Sequence, residues 1–241
     1  VHGEIYGGTY VRNTNATAKV DTARVTIDDG TIGSTEPQSW AQYVVGGGKA
    51  MSNGDDTAQS DVTTTIVTIS GGDIKRGAVI GGGFSRAQGN AGGSASATVE
   101  NTTTVTGGTL SGVVAGGLAE NTASSSASDS LASSANVTTA TLNISGADTV
   151  VNGIRYMAND KVDGGDGETT YTETEASKIA VVGGGLAYSM NKKTATSSVT
   201  TTTTNISGGK IDGSVVAGGM AHGSGATATV KTANLNITGG T

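Results

Sequence analysis

Cross-links and large side chains are what this chain lacks. Its 241 residues include no cysteine, one proline, one tryptophan and one phenylalanine. With no cysteine, backbone hydrogen-bond ladders rather than disulfides must carry the stability. Hydrophobic residues make up only 34%, mostly Val, Ile, Ala and Leu, which suit a narrow interior and argue against a compact globule with an aromatic core. Charged residues make up only 14%, so self-repulsive disorder is not favoured. The net charge of −6 argues against a nucleic-acid partner, because phosphate binding needs a basic stripe. No apolar run approaches membrane-spanning length, so no membrane insertion is expected in this segment. The two histidines, His2 and His222, have no spaced partners and give no metal or triad signal. Helix signals are nearly absent, and only Thr149 to Glu175 lacks clear β periodicity.

What is present is repetition, with 40 glycines setting the rhythm. An apolar pair running into glycines occurs as Val44-Val45-Gly46-Gly47-Gly48, Val79-Ile80-Gly81-Gly82-Gly83, Val113-Val114-Ala115-Gly116-Gly117, Val181-Val182-Gly183-Gly184-Gly185 and Val215-Val216-Ala217-Gly218-Gly219, with a weaker copy at Ile5-Tyr6-Gly7-Gly8. Spacings of 35, 34, 68 and 34 residues indicate a unit of roughly 34, the mark of a repeat array. Between these phrases runs a second one, Val-x-Thr-x-x-apolar-x-Ile-Ser-Gly-Gly, at 62–72, 137–147, 199–209 and 230–240, with variants at 20–30 and 99–108. Within it Ala140, Leu142 and Ile144 alternate with Thr141, Asn143 and Ser145, which is strand periodicity. Upstream, Ala95, Ala97 and Val99 alternate out of register with the later set, so a bend or bulge is expected near the Thr pair.

The Gly-Gly closing each second phrase reads as a corner with positive φ. The Gly-Gly-Gly run reads either as a turn or, preferred here, as strand where neighbouring backbones pack too closely for side chains. Thr22, Thr64, Thr139, Thr201 and Thr232 should stack as a hydroxyl row. Strand propensity explains such a row, and an ice-binding or glycosylated face is the functional alternative. The expected fold is therefore all-β, a β-solenoid of about six to seven repeats of roughly 34 residues, forming one continuous array over 1–241.

The array is interrupted. The stretch from Val113 to Val181 is double length, and it holds either a degenerate unit at Val150-Val151-Asn152-Gly153 or insertions. The Ser/Ala-rich stretch from Glu120 to Ser134 reads as a flexible loop. Residues 33–42 and 152–177 read as inserted surface loops, and insertions in arrays often mark a binding face. Trp40, Tyr43, Tyr156 and Tyr171, in or beside them, are the candidate contact residues. Asp163, Asp166 and Glu168, spaced by glycines, are a candidate calcium loop, with a solvated acidic loop as the simpler reading. No other cofactor is expected, nor any enzymatic activity.

Units such as Ile206-Ser207-Gly208-Gly209-Lys210-Ile211-Asp212-Gly213-Ser214-Val215-Val216-Ala217-Gly218-Gly219 and Ile69-Ser70-Gly71-Gly72-Asp73-Ile74 resemble the passenger repeats of bacterial autotransporter adhesins. That likeness, of composition and strand-glycine rhythm over nearly the whole chain, implies an extracellular or cell-surface bacterial β-helix that self-associates. The expected role is a structural filament or a stalk or adhesin segment, with the chain itself as partner. A module binding glycans or a host surface through the inserted loops is the alternative. Asn236-Ile237-Thr238-Gly239-Gly240-Thr241 matches Asn205 to Lys210, and Val1 would continue the phrase in phase. This gives two expectations, a stretch of a longer array or a subunit stacking head to tail.

Overall fold

The computed structural model describes residues 1, 3–12, 15–33, 43–52, 57–75, 77–88, 94–123, 126, 132–153, 161–163, 169–171, 178–189 and 192–241, with 94–98, 161–163 and 169–171 described in backbone only. Among these the fold is all-β, with four parallel sheets and one small hairpin. The first sheet holds β1 (Ile5–Tyr6), β5 (Val44–Val45), β9 (Val79–Ile80), β13 (Val113–Val114), β19 (Ile179–Val182) and β23 (Ser214–Val216). The second holds β2 (Tyr10–Arg12), β6 (Lys49–Ser52), β10 (Phe84–Ala87), β14 (Leu118–Asn121), β20 (Leu186–Ser189) and β24 (Met220–His222). The third, of long strands, holds β3 (Ala16–Ile27), β7 (Ala58–Ile69), β11 (Ser94–Val105), β15 (Ala132–Ile144), β21 (Thr194–Ser207) and β25 (Ala226–Gly239). The fourth holds β4 (Thr31–Ile32), β8 (Asp73–Ile74), β12 (Thr109–Leu110), β16 (Val150–Val151) and β22 (Lys210–Ile211). Strand order in every one of them follows chain order, so each strand pairs with its counterparts one repeat before and one repeat after.

The two glycine phrases do different jobs. In the Gly-Gly corners the second glycine is left-handed, with φ +86° at Gly72 and +87° at Gly209, a conformation cheap only for glycine. The Gly-Gly-Gly runs are not left-handed. Their middle glycines form a backbone ladder: Gly8 N–H to Gly47 O at 3.0 Å, Gly47 to Gly82 at 3.0 Å, Gly82 to Gly116 at 3.0 Å, Gly116 to Gly184 at 2.9 Å and Gly184 to Gly218 at 2.9 Å. A Cβ on Gly116 would stand 2.6 Å from Gly184 O and 2.7 Å from its carbonyl carbon. Close backbone approach, not turn chemistry, is why these positions are glycine.

The four interior apolar pairs are buried on both sides, while Ile5-Tyr6 and Val215-Val216 are half-buried. Val44, Val79, Val113 and Val181 face the main core with Val67, Val105, Leu142 and Ile206 of the third sheet and Ile74, Leu110 and Val151 of the fourth. Val45, Ile80, Val114 and Val182 face a second cluster with Phe84, Leu118 and Leu186. A parallel sheet covered on both faces needs such continuous apolar runs.

The long strands switch face midway. In β7, Thr63 and Thr64 both turn outward between buried Val62 and buried Thr65, and Thr138-Thr139 of β15 and Thr200-Thr201 of β21 repeat this. β11 lacks the additional residue, so its register against β15 shifts between Val99 and Asn101. As a result Glu100, not a threonine, stands opposite Thr64, and a charge interrupts the outward Thr row. Inward polar side chains bond to the glycine run: Thr65 Oγ1 donates to Gly81 O at 2.8 Å, and Asn101 Nδ2 to Ala115 O at 2.7 Å. Buried polar groups are tolerated where they are paired in this way.

Two sequence expectations change. Val150-Val151 pairs with β12 and β22 in the fourth sheet, while Val113 pairs directly with Val181. It therefore occupies the place of Ile74 and Leu110 and is not a copy of the first-sheet phrase. Glu120 and Asn121 belong to β14, and Ala132 to Ser134 to β15, so both ends of the supposed Ser/Ala loop are strand. Pairing with the neighbouring repeats outweighs the loop-like composition there.

Candidate functional site

The sequence-derived site residues separate. Trp40, Tyr156, Asp166 and Glu168 lie outside the described residues, as do most of the 33–42 and 152–177 insertions. Asp163 and Tyr171 lie on the antiparallel hairpin of β17 (Lys161–Asp163) and β18 (Thr169–Tyr171), where Asp163 pairs with Thr169 and Lys161 with Tyr171. Tyr43 is not an exposed anchor. It is 2% exposed, meets the Phe84 ring edge-on at 5.2 Å, and its hydroxyl donates to Glu120 Oε1 at 3.2 Å. The composition argument that placed scarce aromatics on contact loops fails for it, because this ring fills the second apolar cluster. Among the described residues no group of three His, Asp or Glu side chains is placed to hold a metal ion.

The described residues concentrate their charge chemistry along the second sheet. Parallel register stacks its side chains into columns. One column runs Tyr10, Lys49, Phe84, Leu118, Leu186, Met220, and the other Arg12, Met51, Arg86, Glu120, Tyr188, His222. Glycine-bounded bends place both columns against the second apolar cluster.

Two ion pairs sit in this seam. The Lys49 side chain is 4% exposed, and its Nζ lies 2.7 Å from Glu4 Oε2, 3.1 Å from the Tyr6 hydroxyl and 4.7 Å from the Phe84 ring centre. Burial pushes the Lys49 ammonium below the ordinary lysine range, against the opposing pull of Glu4. Tyr6 donates to Glu4; burial first, then that bond and the Glu4 charge, push its phenol far above the ordinary tyrosine range. Arg86 Nε donates to Glu120 Oε2 at 2.7 Å, and Glu120 is 1% exposed. The Arg86 guanidinium also lies over the Phe84 ring, 5.1 Å from its centre. Burial, then the charge on Glu120, pushes Tyr188 up, and its ring stacks on His222 at 5.7 Å.

Glu4 and Lys49 belong to successive repeats, and so do Arg86 and Glu120. Each ion is neutralised across the repeat boundary, where its desolvation has to be balanced. These ion pairs thus clamp one repeat to the next. Sequence reasoning missed them although a signal was there. Arg86 and Glu120 stand 34 residues apart, opposite charges at one repeat position.

A third column is built from amides. Asn205 Nδ2 donates to Asn143 Oδ1 and Asn236 Nδ2 to Asn205 Oδ1, both at 2.8 Å. Each of these asparagines opens an Asn-x-Ser/Thr triplet, the pattern of an N-glycosylation acceptor, yet each is in a strand with its amide engaged. No protein-family model matches the chain, and no curated protein or solved structure is similar to it.

Proposed function

We propose that the chain is a stretch of a rod, a β-solenoid of six turns serving as a structural extracellular filament or as a stalk or adhesin segment of a bacterial surface protein. The observation that carries this reading is the unbroken ladder. Each of three sheets takes one strand from every repeat, in chain order. Such a stack is quasi-one-dimensional, because each turn contacts only its neighbours and length grows with the number of turns. Described side chains are spent on holding turn to turn, as in the Lys49–Glu4 and Arg86–Glu120 pairs and the asparagine column, rather than on an open cleft. The likeness to autotransporter passenger repeats supplies the cell-surface setting, and self-association is the expected mode of assembly. A rod is a mechanical device, stiff because its backbone hydrogen bonds run along its axis.

An antibody raised against the purified chain tests this. On intact source cells, viewed by electron microscopy, it should decorate thin fibres projecting from the surface. Label confined to the cell interior contradicts the reading. Label at the surface together with saturable glycan binding that a 152–177 deletion abolishes would favour the binding-module alternative.

A further inference from the structure

We propose that Lys49 and Glu4 condense into an amide, a covalent cross-link that ties the second repeat to the first. The inference rests on the seating of these two repeats and not on the filament role.

What separates this ion pair from the others is its lysine. Lys19 is 76% exposed and lies 3.9 Å from Asp61, while Lys75 and Lys178 keep 35% and 17% of their side-chain surface in water against 4% for Lys49. A hydrated ammonium holds its proton and has no lone pair to offer. Arg86, the cation of the other buried clamp, carries a guanidinium that stays protonated in proteins. Among the described ion pairs, only that of Lys49 combines a primary amine with a nearly water-free site.

The site suits an attack of this amine on the carboxyl carbon. Burial disfavours the ammonium and lowers its pKa, which frees the lone pair, and the Phe84 ring closes one side of Nζ at 4.7 Å. Nucleophile and carboxyl are held together. Nζ is 2.7 Å from Glu4 Oε2, and strand register fixes Lys49 between Tyr10 and Phe84. Holding two reactants in contact is equivalent to an effective concentration of about 10⁵ M or more. With water kept from the nitrogen, that concentration favours condensation over hydrolysis. Tyr6 donates its hydroxyl proton to Oε2, the oxygen that has to leave. Glu4 itself is 22% exposed, which gives the released water a way out.

The step balances without a co-reactant. The Lys49 ammonium passes one proton to Glu4 Oε2, and the neutral Nζ attacks Cδ. As the Nζ–Cδ bond forms, the nitrogen gives up a second proton, and the Cδ–Oε2 bond breaks. Oε2 departs with both protons as water. Glu4 Oε1 remains as the amide carbonyl, and nothing is oxidised or reduced. In a chain without cysteine, this bond does between repeats what a disulfide does elsewhere.

The test is the intact mass of the purified full chain. It is expected to lie one water below the mass that the sequence dictates. After trypsin, residues 1–12 should appear joined to 25–75, because an acylated Lys49 is no longer cut. That localisation separates the cross-link from a cyclised Asp29-Gly30, which loses the same water. Lys49→Arg and Glu4→Ala should each restore the full mass. Tyr6→Phe should slow the appearance of the bond roughly a hundredfold, as the loss of one well-placed donor does. A wild type of full mass whose Lys49 is cut by trypsin overturns the proposal, and so does a loss of water that survives Lys49→Arg. In a separate variant, Thr22→Cys with Thr64→Cys should form a disulfide, because directly paired strands bring their Cα atoms within disulfide reach. If that bond forms and the wild type has full mass, only the amide fails; if it does not form, the seating of the two repeats fails as well.

Discussion

Gly116→Ala is expected to destabilise the chain by about 3 kcal/mol, the upper end of what overpacking costs. The added methyl would meet Gly184 O, Gly184 C and Gly185 N at 2.6, 2.7 and 2.8 Å, all of them backbone. No rotamer change relieves contacts with backbone, so two repeats would have to part along the ladder from Gly82 through Gly116 to Gly184. Gly218→Ala is the matched control: same column, same substitution, no atom within 4 Å. Its effect on stability should stay within about 0.5 kcal/mol. Urea midpoints of the two variants read the difference directly. Equal midpoints would mean that the glycine runs are turns after all and that the repeats do not lie on one another there.

Glu120→Ala is expected to cost about 3 kcal/mol, the lower end of what breaking a buried pair costs, because Glu120 is buried while the Arg86 side chain keeps 23% of its surface in water. Arg86 would lose the carboxylate 2.7 Å from its Nε, and Tyr43 would lose its bond to Glu120 Oε1. The pair as a whole is expected to be worth much less than that. Arg86→Met with Glu120→Leu should regain most of the loss, since hydrophobic replacements of similar volume are often neutral or stabilising. Met51 already sits next to Arg86 in this column, so apolar side chains fit the seam. Thermal melts of the single and double variants decide the point. A double variant no better than Glu120→Ala would show that the two side chains act mainly through shape and not as an ion pair.

Strand, corner and close-packed glycine were all legible in the sequence, because each rests on a short-range rule. Alternation at Ala140, Leu142 and Ile144 predicted a strand face, and the doubled outward residues at Thr63 and Thr64 are a kink of the expected kind, but β11, whose Ala95, Ala97 and Val99 raised that expectation, has none and alternates unbroken from Val99 to Val105. Gly72 and Gly209 are left-handed as the corner reading requires. What stayed hidden depends on which repeat lies beside which. Glu120 looked like the start of a serine-rich loop because its composition was read locally; its strand character comes from the neighbouring repeats on either side. Tyr43 looked like a contact residue because aromatics are rare here, yet a rare large ring is what a wide corner of a narrow core needs. The inward Thr65 and Asn101 were invisible for a related reason. Their acceptors, Gly81 O and Ala115 O, are 16 and 14 residues away and meet them only after the chain turns through a corner. Columns, not segments, are the unit in which this sequence has to be read.

The most direct test measures the column spacing in solution. The chain has no cysteine, so spin labels can be placed in pairs without background. Thr22, Thr139, Thr201 and Thr232 stand in the first, fourth, fifth and sixth turns of the proposed rod. With Thr22→Cys as the common site, pulsed electron–electron resonance against Thr139→Cys, Thr201→Cys and Thr232→Cys should give backbone separations of about 14, 19 and 24 Å, one interstrand step of about 4.8 Å per turn. A steady climb with turn number is the result this account predicts. Separations that are equal, or that rise and fall with turn number, would contradict a stack of parallel turns, and the proposed filament role would fall with it.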